Sequence, residues 1–92
     1  MKTVYTLSAM PYAQAKVFCH CTNTISLVSY STTVAEIKNG WLVVYGLYSQ
    51  TTRRHIGAFV KEYANIPYAT AKAIYEQRLA YNIHTGEVVP AL

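Results

Sequence analysis

The chain has 92 residues, of which 52% are hydrophobic. Eight Lys and Arg stand against four Glu and no Asp, giving a net charge of +4. That apolar content supports a core and excludes a disordered chain. The length gives one small domain, residues 1–92, that buries less than about 70% of its unfolded surface.

No apolar run approaches the roughly 20 residues of a membrane span. The start, Met1-Lys2-Thr3-Val4-Tyr5, lacks the apolar segment of a signal peptide. A soluble, cytoplasmic protein is expected, without contact to a membrane. The basic balance permits phosphates or an acidic protein surface as partners. Nine tyrosines are a surplus, and tyrosine is enriched at contact surfaces.

In chain order, residues 2–9 read as a short strand, broken at Met10-Pro11-Tyr12 because Pro11 has no amide to pair. Residues 17–21 alternate as a strand, with Val17, Cys19 and Cys21 on one face and Phe18 and His20 on the other. Thr22-Asn23-Thr24 has turn chemistry, and residues 25–30 make the next strand.

Residues 33–38 and 41–48 flank Asn39-Gly40, the strongest hairpin signal here, because a type I′ turn needs positive φ at both central positions. The two-residue loop sets Lys38 opposite Trp41, Ile37 opposite Leu42, Ala35 opposite Val44 and Thr33 opposite Gly46. One face then carries Ala35, Ile37, Leu42, Val44 and Tyr48, and is expected to meet the helices. The other carries Val34, Glu36, Lys38, Trp41, Val43, Tyr45 and Leu47. It is too apolar for an ordinary solvated face. The chain itself, a second copy or a partner can cover it. Trp41, Val43 and Tyr45 are the candidate interface of a homodimer.

A helix follows, opened by a side-chain cap from Ser49 or Thr51. Ile56, Phe59, Val60 and Tyr63 recur at helical spacing as its buried stripe. Arg54, Gly57 and Lys61 fall on the far side. Asn65 and Pro67 stop it. A second helix is expected from residue 67 or 70 to residue 81, with Tyr68, Ala71, Tyr75 and Leu79 as its stripe. Residues 82–92 form a tail that either adds a short edge strand or stays loose. The fold class is therefore α+β: an antiparallel sheet of about four strands with two C-terminal helices packed on one face.

Cys19-His20-Cys21 has the wrong spacing for a zinc knuckle, and alternation separates His20 from both thiols. The bland reading is small buried thiols, so no metal is expected. Ser49, His55 and Glu62 make a triad on paper only. No nucleophile elbow or phosphate-binding glycine loop is present. No catalytic residue, cofactor or enzymatic activity is expected. The candidate site is the helix start, Ser49, Thr51, Thr52, Arg53, Arg54 and His55, with Lys61 one face along. Free amides and the positive end of the dipole suit an anion or a partner there. Simple capping with a solvated basic face is the competing reading.

Three stretches carry a likeness. They are Pro11-Tyr12-Ala13-Gln14-Ala15-Lys16-Val17, then Ser29-Tyr30-Ser31-Thr32-Thr33-Val34-Ala35-Glu36-Ile37, then residues 45–56, with the Tyr-Ser-x-Thr-Thr-x-Arg-His-Ile pattern. From about residue 12 to residue 77 the chain resembles a small domain of unknown function found in phage and mobile-element proteins of Gram-positive bacteria. The resemblance implies no activity. It implies an accessory protein that binds a host protein or nucleoprotein complex in the bacterial cytoplasm, an inhibitor of host defence being one such role. Two alternatives are direct binding of nucleic acid through Arg53, Arg54, Lys61 and Lys72, and a small anionic ligand at the helix start.

Overall fold

The computed structural model describes residues 3–7, 14–20 and 23–91. Among these, seven strands form one antiparallel sheet in sequence order: β1 (Thr3–Thr6), β2 (Ala15–His20), β3 (Thr24–Ser29), β4 (Thr32–Lys38), β5 (Trp41–Val44), β6 (Leu79–Asn82) and β7 (Val88–Pro90). Two helices, α1 (Gln50–Tyr63) and α2 (Tyr68–Glu76), stand between β5 and β6. The α+β class and antiparallel pairing agree with the pattern in the sequence. The sheet has seven strands rather than about four, and the helices are followed by two strands instead of ending the chain. The break at Met10-Pro11-Tyr12 and residue Cys21 lie outside the described residues.

The β4–β5 hairpin turns at Asn39 and Gly40, both with positive φ (53° and 85°). Ala35 pairs with Val44, Ile37 with Leu42 and Lys38 with Trp41. These side chains face inward where alternation puts them: Ala35, Ile37, Leu42 and Val44 are buried. Three assignments change, those of Val34, Leu47 and Tyr48. The pairing of β3 with β4 steps from Leu27–Ala35 to Val28–Thr33, so Val34 is the extra residue of a bulge. Val34 and Ala35, though adjacent, are both buried.

Beyond Val44 the chain leaves the ladder, with the Tyr45 amide donating to the Val34 carbonyl at 2.8 Å. Without strand alternation, Leu47 turns inward and Tyr48 outward, at a φ of 48°. Tyr48 is thus not on the helix-facing side, and Val34 and Leu47 are not on the opposite one.

α1 lies on β3 and β4, and α2 on β5 and β6 and against α1. Ile56, Phe59 and Val60 are fully buried, and Tyr63 is half-buried. They meet Leu27, Leu42, Val17 and Leu7 in one core. The helix ends at Ala64, whose amide donates to the Val60 carbonyl, and Asn65 follows at a φ of 56°. This is the left-handed exit that Asn tolerates.

α2 is shorter than its stripe suggested. Its last carbonyls are met by the amides of Gln77 and Arg78, and Arg78 turns left-handed (φ 54°). Residues 79–82 then form β6, with Leu42 pairing Tyr81 and Trp41 pairing Asn82. The tail adds β7 at the sheet edge.

Candidate functional site

The first turn of α1 is organised by hydroxyls. The amide of Thr52 donates to Ser49 Oγ (3.2 Å), so Ser49 is the cap. Ser49 Oγ in turn donates to Thr52 Oγ1 (3.3 Å). Thr52 Oγ1 and Ser29 Oγ are 3.0 Å apart, and Ser29 Oγ is 2.9 Å from Nδ1 of His55. Each hydroxyl has one proton to give. Ser49, Thr52, Ser29 and His55 thus form one hydrogen-bonded run; an Nδ1 without a proton accepts from Ser29, and an Nδ1 that carries one donates to it.

Thr52, Ser29 and His55 are all buried, and burial lowers the His55 pKa below its ordinary 6.5. The Tyr30 ring lies tilted beside that of His55, with centroids 6.0 Å apart. Ser29 and His55 form a hydroxyl–imidazole pair, but at 2% and 1% exposure they are closed to a substrate in this conformation. The triad drawn from Ser49, His55 and Glu62 is not assembled, since Ser49 caps the helix and His55 turns to Ser29.

The candidate residues thus divide into two groups. Ser49, Thr52 and His55 tie α1 to the end of β3, and Thr51 is exposed beside them. Arg53, Arg54 and Lys61 are exposed on the other side of α1, where they line a groove of about 970 Å³ between the two helices. Lys72 of α2 adds a fourth cation. Gly57, Ala58, Ile66, Pro67 and Tyr68 make an apolar floor, and no carboxylate is among the lining residues. Helical spacing had grouped Arg54, Gly57 and Lys61. Ile66, Pro67 and Tyr68 were missed because they join the groove only through the α1–α2 packing. Ser29 was missed because nothing in its strand points to a histidine 26 residues on.

Trp41 and Val43 are half-buried on the outer face of the sheet, and Tyr45 is 50% exposed beside them. The Tyr45 hydroxyl donates to Glu36 Oε1 and the Ser26 hydroxyl to Glu36 Oε2, both at 3.0 Å. Partial burial, then the bond to Glu36 and its charge, raise the Tyr45 pKa above 10.0. Cys19 is a free, half-buried thiol. Among the described residues, no three His, Cys, Asp or Glu side chains come together in a way that could hold a metal. Nor is any described helix long and apolar enough to cross a membrane.

The family described as a family of unknown function, DUF8033, matches residues 2–79. No curated protein and no solved structure matches the chain.

Proposed function

Because the chain belongs to the DUF8033 family of unknown function, we propose its role from the site itself: a non-enzymatic binding protein whose α1–α2 groove docks on an anionic surface of a host protein or nucleoprotein complex. One observation carries this reading. Arg53, Arg54, Lys61 and Lys72 converge on one apolar-floored groove that no carboxylate lines. Four cations in a groove with no carboxylate among its lining residues raise the local potential and steer an anionic partner inward. Each exposed ion pair is worth only about 0.2–1 kcal/mol, so the apolar floor must supply much of the affinity.

A phage or mobile-element setting in the bacterial cytoplasm, with inhibition of host defence as one outcome, rests on the likeness of the Pro11–Val17, Ser29–Ile37 and 45–56 stretches alone. Direct nucleic-acid binding would use the same four cations. A small anion at the helix start would have to share Ser49, Thr52 and His55 with the internal hydroxyl chain. A second copy on the Trp41, Val43 and Tyr45 face is part of the proposal, since Tyr45 stands half out of the protein there. Light scattering of the native chain and of Trp41→Glu reads it directly. A concentration-independent monomer in both removes the homodimer.

The test of the groove is affinity capture from a bacterial lysate with the native chain and with Arg54→Glu plus Lys61→Glu, each with and without nuclease. The native chain is expected to retain a partner that the double variant loses. Identical capture by both would show that the groove is not the docking site. Loss of capture on nuclease treatment, together with a salt-sensitive gel shift, would assign the nucleic-acid alternative.

A further inference from the structure

We propose that the α1–α2 groove accepts an acidic amphipathic helix of a protein partner, laid along α1 with its apolar stripe on the floor and its carboxylates on the basic rims. This rests on the reading of the groove as the docking site and names the occupant. Three features single out a helix.

The first is size. Arg54 and Lys61 are separated by seven residues of α1, a rise of about 10.5 Å or two turns. A helix about 10 Å wide displaces about 420 Å³ per turn. The groove of about 970 Å³ thus holds the volume of about two turns.

The second is the floor. Gly57 sits inside α1, where glycine is a poor helix former, yet packing within the chain does not call for it. A Cβ there would meet the Tyr68 Cβ at 3.4 Å and other Tyr68 atoms at 3.8 Å, which is ordinary contact. With Ala58 beside it, the glycine leaves room on the floor for an apolar side chain of a docked helix, and helix-in-groove recognition seats such anchors in an apolar groove.

The third is charge. Cations flank the floor on both helices, Arg53, Arg54 and Lys61 on one and Lys72 on the other, with no carboxylate between them. An acidic helix with a single apolar stripe complements both rims at once. Single-stranded nucleic acid wants open aromatic faces on which bases stack. The groove offers one tyrosine, Tyr68, which is itself half-buried.

The experiment compares three labelled probes by fluorescence anisotropy. One is a designed peptide of about 18 residues, or five turns, with Leu at helical spacing and Glu on both flanks. The second is the same composition scrambled to destroy the period, and the third is a single-stranded oligonucleotide. The amphipathic peptide is expected to bind at least about tenfold more tightly than either other probe, a difference of about 1.4 kcal/mol, and to gain helical circular dichroism on binding. Gly57→Leu, which fills the floor, is expected to remove that margin. Lys72→Glu, an exposed change on α2, should do the same and guards against misfolding of the first variant.

Equal binding of the scrambled peptide, or tighter binding of the oligonucleotide, overturns the helix and leaves a basic docking groove. Failure of all three probes also overturns it. If capture from lysate is in addition unaffected by Arg54→Glu plus Lys61→Glu, the docking reading falls with it.

Discussion

The hydroxyl of Ser29 lies 2.9 Å from Nδ1 of His55, fastening the end of β3 to the first turns of α1 across 26 residues of sequence. Both side chains are buried. Burial there disfavours the charged imidazole, and a second ring proton would make both of its nitrogens donors. The His55 pKa is lowered in the folded chain. As pH falls below about 6.5, the unfolded chain therefore takes up a proton that the native chain resists, and stability declines with acid. The expected result is a melting temperature that drops between about pH 7 and pH 5. His55→Gln should be less stable at neutral pH but show a flatter profile over that window. A parallel profile in the variant would mean that other groups set the acid sensitivity.

Ser29→Ala removes the partner of two buried groups, Thr52 Oγ1 and His55 Nδ1. Leaving a buried polar group unsatisfied costs about 1–3 kcal/mol, which in a domain this small lowers the melting temperature by about 4–8 °C per kcal/mol. Ser49→Ala removes the helix cap, worth about 1 kcal/mol, and the 3.3 Å bond to Thr52 Oγ1, which keeps Ser29 as a partner. Thermal melts of the two variants should rank Ser29→Ala as the more damaging. The reverse order would show that the cap contributes more to the fold than the Ser29 bridge does.

Gly40→Ala tests the hairpin. Gly40 has a φ of 85°, and a Cβ there would sit 2.9 Å from Cδ2 of His84. Both the left-handed backbone and the contact oppose the substitution, at a cost of more than about 1 kcal/mol. Adding His84→Ala should recover the steric part and leave the backbone part. No recovery in the double variant would show that the His84 ring swings aside without penalty.

Tyr68→Phe is expected to be neutral or stabilising by up to about 1 kcal/mol in the isolated protein. The Tyr68 hydroxyl is buried and finds no hydrogen-bond partner among the described residues, and removing an unsatisfied polar group relieves a desolvation cost. Chemical denaturation of the variant measures it. A clear loss of stability would reveal a bound water or a partner that the hydroxyl needs.

Much of the local architecture is legible in the residues. Asn39-Gly40 fixes the turn and, through it, the register of Ala35, Ile37, Leu42 and Val44. The recurrence of Ile56, Phe59 and Val60 fixes the buried side of α1, so Arg54 and Lys61 fall together on the exposed one. These features depend on neighbours in sequence, whose relative positions follow from backbone geometry alone.

Other features depended on what the chain meets after folding. Leu79, Ala80 and Tyr81 fit the period of α2 as well as they fit a strand. The outcome turned on Arg78 going left-handed and on β5 offering an open edge nearly forty residues back. The bulge at Val34 shifts alternation by one residue and sends two adjacent side chains into the core, which a strict period of two cannot express. The pairing of Ser29 with His55, and the gathering of Tyr68 and Lys72 with Arg54 and Lys61 along one groove, join elements that are separate in sequence. The sequence by itself determined the hairpin, the helix stripe and the surplus of positive charge. The tertiary structure alone decided that the polar helix start would divide, its hydroxyls and histidine turning inward to hold the fold and its arginines outward to line a groove. The helix period decides which side of α1 is buried, and tertiary packing decides that β3 and β4 cover it and that α2 stands alongside.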